Sequence, residues 1–403
     1  VADTPEMHRM NYGVQHDPGL SGQIRVPVEG MPKMPLDARK IIARRAAFEL
    51  PPNGAVNLGV GAPDGVAAIA NEEKVTPYIT LTTEAGAVGG VLAGGSSFGS
   101  SRNADAIIDQ NQMFDFYDGG GLDLTCLGMA QCDREGNVNS SHFGGRLNGS
   151  GGFINISQNS RAVVFAGTFT AGGLQIAVED GQLRIVQEGR NKKFVRSIDQ
   201  ITFSGTYACS RAQPVIYVTE RCVFQLTARG LELIEVAPGI DIERDITSLM
   251  GFKPIIENVI PMDPRIFRDE PMGLLDDLLN VNLPKRVTYD AGRHTLFLNL
   301  EGWSVKKRQD IEDLARVLEE TFAKSGKGVS LVVNKNGFRV AEDLQDEYSA
   351  IVETLLEAGS ESIAHYTTSA FMRLKMQDTL STRGVQPHIF ESSEEAQQAI
   401  WGS

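Results

Sequence analysis

The chain has 403 residues, 41% apolar and 22% charged, with 38 Lys and Arg against 51 Asp and Glu, a net charge of −13 and a pI near 5.0. That length exceeds one core of ordinary size and predicts two or three domains. The acidic balance argues against a general nucleic-acid or anionic-membrane binder, and no run of about 18 apolar residues offers a membrane span.

Residues 1–36 are rich in Pro, Gly and Met and read as a linker. The chain starts at Val1, which suggests a segment of a longer protein or one chain of a split one. Leu36 to Leu50 has helical periodicity, bracketed by Pro35 and Pro51, with Arg39, Lys40, Arg44 and Arg45 expected on a solvated face. Val56 to Gly61 is a short apolar strand entering a Gly-x-Gly turn, and Val66 to Asn71 reads as a helix. The turn resembles a nucleotide-binding one but lacks the third glycine, so it carries no assignment alone.

Tyr78 to Leu81 then delivers a single carboxylate, Glu84, to a turn, and glycines crowd the residues after it. Glycine lets backbone N–H groups approach a ligand closely, and such groups can stabilise a developing oxyanion. A carboxylate so placed is either a solvated acid in a loop or a covalent nucleophile toward an acyl group. Further glycine turns follow at Asp118 to Gly121, with a strand at Leu122 to Ala130, and at Gly149 to Gly152, leading into Phe153-Ile154-Asn155-Ile156. Ala162 to Ala166 is a buried strand, residues 174–205 carry a hairpin about Asp180-Gly181, and Val215 to Leu226 gives two more strands. Ile240 to Met250 reads as a closing helix. Helices are few in the middle.

Composition shifts between Pro261 and Pro284. Beyond it strands and helices alternate: strand Thr295–Leu300, helix Val305–Lys324, strand Gly328–Asn334, helix Asp343–Ala358, strand Ser362–Tyr366, helix Ser369–Gln377 and strand Val385–Phe390. A last helix opens at Ser392, capped with Glu395. The spacing predicts a small α/β layer domain. Trp303 is expected to pack locally, and Lys306, Lys307 and Arg308 to be solvated. Cys126, Cys132, Cys209 and Cys222 form no C-x-x-C and no zinc pattern, so buried thiols in a reducing cytoplasm and no metal site are expected.

Eight segments in order now carry a resemblance. They are Asp37 to Ala47, Asn57 to Gly61, Thr83-Glu84-Ala85-Gly86 with Gly89-Gly90, Ser97 to Gly99, Phe114 to Gly121, Gly151 to Ile156, Gly167 to Thr170 and Ala237 to Asp241. Over about residues 5 to 270 the chain resembles the β half of family I CoA-transferases, of the acyl-CoA:acetate/3-ketoacid or propionate type. The resemblance implies an open, mixed-sheet α/β catalytic domain at 37–262; the linker expected at 263–285 and the accessory α/β domain expected at 286–403 depart from it, since these transferases do not need that tail. That last part resembles a STAS-type domain in its strand–helix order.

By the same resemblance Glu84 is the nucleophile. It attacks an acyl-CoA thioester and passes through a glutamyl-CoA thioester in a ping-pong transfer to a free short-chain carboxylate. Gly89, Gly90, Gly120, Gly151, Gly152 and Phe153 are implied to bind CoA and substrate. Coenzyme A is a substrate, and no other cofactor is implied. The family's α half is absent, so a preceding segment or a second chain is expected to supply it, within a homo- or hetero-oligomer. Two alternatives stand: an acyl-CoA hydrolase using the same glutamate, or a non-catalytic scaffold.

Overall fold

A computed structural model of the chain describes residues 4, 9–28, 33–279, 283–326, 328–367 and 389–401. It divides into two compact units, residues 1–275 and 276–403.

The first unit is built on a ten-stranded mixed sheet. Five parallel strands form its centre, side by side in the order Thr80–Thr82, Ala55–Leu58, Leu124–Leu127, Ala162–Ala166 and Val215–Val218. They read as short apolar runs because both faces are covered: all four residues of Leu124–Leu127 are buried, as are Val163 to Ala166. Cys222–Thr227, Gly230–Val236 and Ile255–Pro261 extend one edge. Ala87–Val88 and Ala106–Ile107 extend the other. The strand that comes second in the chain flanks the first, so the strand order reverses between Ala55–Leu58 and Leu124–Leu127. In open α/β sheets, ligands bind outside the carboxyl ends of the strands at such a reversal.

Helix Ala38–Ala47 is capped by the Asp37 carboxylate, which accepts from the Lys40 N–H at 2.9 Å. Of the four charges the sequence assigned to a solvated face, only Arg39 is exposed. Lys40 and Arg44 are fully buried and Arg45 is nearly so. Lys40 pairs with Glu72 at 3.2 Å, and Arg45 with Glu235 at 2.6 Å and Glu49 at 2.7 Å. The Arg44 guanidinium donates to the carbonyls of Arg265, Ile266, Arg268, Asp269 and Glu270. Nearby, the Glu73 carboxylate accepts from the N–H groups of Met272, Gly273 and Leu274 at 2.7 to 3.1 Å. The chain from 265 to 274 is thereby strapped onto the helices Ala38–Ala47 and Gly65–Glu72. Buried charges persist only with such partners.

The hairpin at Asp180-Gly181 forms as expected, with both residues at positive φ. The closing helix is shorter than expected, Ile242–Asp245 with a 3-10 turn at Thr247–Leu249. Two helices lie where the sequence offered only glycine turns and a strand, Gln110–Asp118 and Phe153–Asn159.

The second unit has a five-stranded sheet in chain order: Val287–Asp290, Thr295–Asn299, Val329–Asn334, Ser360–Tyr366 and Ile389–Phe390. Only the first pairing is antiparallel. Helix Arg308–Ser325 buries Ile311, Leu314 and Leu318. A further helical run, Gln345–Tyr348, continues through a π-helical Ser349–Glu353 into Thr354–Gly359. Trp303 is buried with its ring 6.1 Å from Phe338, the packing role expected for it. Ser392 caps the final helix Ser393–Trp401 through the Glu395 N–H at 3.2 Å. The helix expected at Ser369–Gln377, and most of the strand expected at Val385–Phe390, lie outside the described residues.

Candidate active site

Glu84 lies two residues beyond strand Thr80–Thr82, at its carboxyl end beside the strand-order reversal. The turn that holds it is short. The Thr83 N–H donates to the Ala87 carbonyl at 3.0 Å and the Gly86 N–H to the Thr83 carbonyl at 3.0 Å. The Thr83 hydroxyl accepts from the Ala87 N–H at 3.2 Å and donates to the Gly99 carbonyl at 3.1 Å. Gly86 has φ +111°, and a Cβ there would strike the Ile108 carbonyl oxygen, so only glycine closes this turn.

Beneath the turn lies a buried polar network. The Tyr117 hydroxyl donates to Thr82 Oγ1 at 3.0 Å and accepts from Asn57 Nδ2 at 3.0 Å. Thr82 Oγ1 donates to the Val56 carbonyl at 3.2 Å. Thr125 Oγ1 donates to the Asn57 carbonyl oxygen at 3.3 Å. The network ties three adjacent strands and helix Gln110–Asp118 to the residue two before Glu84. Burial, reinforced by the Glu84 charge, pushes the Tyr117 phenol up to about 12, so it stays a neutral donor.

Gly152, the N-cap of helix Phe153–Asn159, meets the Glu84 carboxylate. A Cβ on Gly152 would collide with Glu84 Oε2 and lie 2.6 Å from Phe114 Cζ. Gly152 has φ −81°, a backbone any residue adopts, so glycine is required here by the close approach and not by the backbone. Phe153 stacks on Phe165 at 5.9 Å between ring centroids, fixing the start of the helix, and Phe114 meets Tyr117 edge-on at 5.8 Å. Gly149 and Gly151 both take positive φ with open space where a Cβ would be, leaving the loop before the helix bare.

The structure therefore brings Glu84, Gly152 and Phe153 together, with Gly151 in the open loop beside them. It places the other sequence-picked residues elsewhere. Gly89 and Gly90 sit in the next turn, where the Gly89 N–H donates to the Leu81 carbonyl at 2.7 Å. A Cβ at Gly89 would strike the Asp105 carboxylate, and one at Gly90 the Arg102 carbonyl. Gly120 precedes Leu124, which pairs with Val56, so it lies at the amino ends of the parallel strands, the opposite rim from Glu84. His142 opens a two-stranded hairpin, His142–Phe143 against Arg146–Leu147, ahead of the glycine loop. Sequence reading missed Asn57, Thr82, Tyr117, Thr125 and Phe114 as parts of the site. Phe114 and Tyr117 are three apart, a signal available once Gln110–Asp118 is recognised as a helix. Among the described residues no group of His, Cys, Asp or Glu is placed to hold a metal ion, and no helix is long and apolar enough to cross a membrane.

No protein-family model matches the chain. It is 48% identical over 268 residues to the caffeate CoA-transferase of Acetobacterium woodii, covering 65% of this chain and 51% of that protein. The chain thus spans about half the length of that relative. A crystal structure of the acyl-CoA transferase YdiF from Escherichia coli O157:H7, a thioester complex with CoA, superposes with a TM-score of 0.56 at 45% identity, over 62% of this chain and 48% of that one. The acetate CoA-transferase subunit beta of Escherichia coli K12 is 30% identical over 220 residues, which are 51% of this chain and 89% of that subunit. A match at 30% identity that takes in nearly a whole β subunit, beside the closer likeness to the caffeate CoA-transferase and YdiF, shows that this chain belongs to the family I CoA-transferases.

Proposed function

We propose that the chain is the β half of a CoA-transferase that moves CoA between a short-chain acyl-CoA and a free carboxylate of the acetate or 3-oxo acid class, with Glu84 as nucleophile. The observation that carries this reading is the Glu84 carboxylate on its turn at the carboxyl ends of the strands, seated over the bare backbone of Gly152. A Glu84 oxygen attacks the thioester carbonyl, the C–S bond breaks, and CoA thiolate leaves an acyl-glutamyl anhydride. The thiolate then attacks the glutamyl carbonyl and releases the first acid as its carboxylate, leaving a glutamyl-CoA thioester. The incoming carboxylate attacks that thioester and the two steps run in reverse. Tyr117, Thr82 and Asn57 hold the turn through these changes without titrating themselves.

The relatives' names support the reaction class, and the half-length match supports an α half that completes the acyl pocket, within an oligomer. The buried free thiols Cys126, Cys132 and Cys222 fit a reducing cytoplasm. The chain-order sheet of the second unit supports reading it as a STAS-like association module.

The test is mass spectrometry of the protein, supplied with an α half, after acyl-CoA and then borohydride. Reduction of a glutamyl thioester to an alcohol makes the Glu84 peptide about 14 Da lighter, and Glu84→Gln abolishes the change. Consumption of acyl-CoA with an unaltered Glu84 peptide would remove Glu84 as the nucleophile.

A further inference from the structure

Three adjacent strands of the first unit end in glycine at the rim that carries Glu84: Leu58 is followed by Gly59, Leu127 by Gly128 and Ala166 by Gly167. Gly59 has a packing reason, because a Cβ there would come 3.0 Å from Leu127 Cδ2. Gly128 has none of that kind: the nearest atom to its Cβ position is the Val60 carbonyl oxygen at 3.7 Å, an ordinary contact. At Gly167 the Cβ position is 2.7 Å from Lys193 Nζ. The strand ends thus form a floor without side chains, running from Glu84 across to Lys193. Three inter-strand spacings separate the Glu84 strand from the Gly167 strand, about 14 Å.

Lys193 is held in place by the backbone on both sides. Its carbonyl accepts from the Cys132 N–H at 2.8 Å, and the preceding Lys192 pairs with Thr170 in a short antiparallel ladder. It therefore bridges the loops that leave two of the glycine-ended strands. Among the described residues no hydrogen bond or ion pair reaches its ammonium. The one acid that influences it is Glu220, whose oxygens are engaged by the Phe169 N–H at 2.8 Å and by Arg221 Nε at 2.6 Å. Burial holds the Lys193 amine down at about 8. An unpartnered, half-buried cation beside these bare strand ends is suited to an anion.

We propose that Lys193 binds the anionic end of a substrate that lies across Gly59, Gly128 and Gly167 with its reacting carbonyl at Glu84. The ligand is a thioester whose CoA arm carries the phosphate, since a short dicarboxylate such as glutarate, about 5 Å between its carboxyl carbons, does not span the strand ends. Only the direction in which that ligand runs rests on the proposed role of Glu84.

The test is trace amine labelling of the full chain, with the Lys193 peptide read by mass spectrometry and exposed Lys192 as the internal reference. The probes are coenzyme A, pantetheine and glutarate. Protection by coenzyme A without protection by glutarate supports the proposal, and protection by glutarate, which is too short to reach from Glu84, overturns the spanning ligand. No protection by either, or equal protection by uncharged pantetheine, overturns the proposal. For the protecting probe, Lys193→Met raises the dissociation constant about tenfold or more and Lys193→Arg restores most of the affinity. Unchanged affinity in Lys193→Met also overturns it. The measurements repeat in Glu84→Gln, since no bond is made, so a failed nucleophile assignment leaves the labelling pattern intact.

Discussion

Glycines that look alike in the sequence do opposite work at the site, and substitution separates them. Gly152 has an ordinary backbone, and what it lacks is the Cβ that would collide with Glu84 Oε2 and with the Phe114 ring. Gly89 has φ +76° and faces the Asp105 carboxylate, so its role is to let the chain turn. Gly152→Ala should lower the melting temperature by a few degrees, as the Phe114 ring gives way to the new Cβ, while displacing the Glu84 carboxylate. Formation of the borohydride-sensitive glutamyl species should then fall by about a hundredfold, since a misplaced reacting group of about 1 Å costs that much. Gly89→Ala should do the reverse, lowering stability by about 1–3 kcal/mol from strain at positive φ while the surviving folded fraction still reacts. Equal loss of folding and reaction in both variants would remove the distinction. Glu84 was legible because a lone acid in a glycine run is conspicuous. The partners that hold it were not. Asn57, Thr82 and Tyr117 are ordinary polar residues far apart in the chain, and only the parallel strands and one helix bring them together.

At the scale of elements, three of the five central strands were readable as short apolar runs ended by glycine, Ala55–Leu58, Leu124–Leu127 and Ala162–Ala166, whereas their parallel pairing was not. Nor was helix Phe153–Asn159. Phe and Ile favour strands, the helix has seven residues, and its conformation is fixed by tertiary packing of Phe153 on Phe165 and of Ile156 in the core. Helix Ala38–Ala47 was placed correctly but its charges were assigned to solvent, because a sequence does not show the carbonyls that meet them. Arg44 spends its guanidinium on five backbone carbonyls between Arg265 and Glu270. Arg44→Met should cost about 3 kcal/mol, since those buried carbonyls lose a charged donor that a thioether does not replace. Arg44→Lys should recover little, because one ammonium lacks the span of the planar fork. Urea unfolding followed by circular dichroism reads this as a lower midpoint for the transition of the first unit at unchanged slope, since both tryptophans, Trp303 and Trp401, lie in the second. A midpoint that stays put would mean that the strap holds without Arg44.

On the scale of the whole molecule, the two units carry separate apolar cores. The first gathers Phe165, Phe194, Phe203, Tyr217 and Phe224, and the second Leu298, Val305, Leu314, Leu331 and Val333. Cooperativity in unfolding follows the shared core, so each unit should melt as its own two-state transition. Two truncations at fully buried positions test this. Phe224→Ala opens a cavity in the first core, beside Phe194 at 5.0 Å, and should cost about 3–5 kcal/mol. Leu331→Ala opens one in the second and should cost about 2–5 kcal/mol. In calorimetry each variant should lower one transition and leave the other in place. The CoA-protected state adds a marker: a ligand bound along the Glu84 rim raises only the transition that Phe224→Ala lowers, because binding stabilises the unit that holds the site. If both transitions moved together in either variant, the two cores would unfold as one cooperative body.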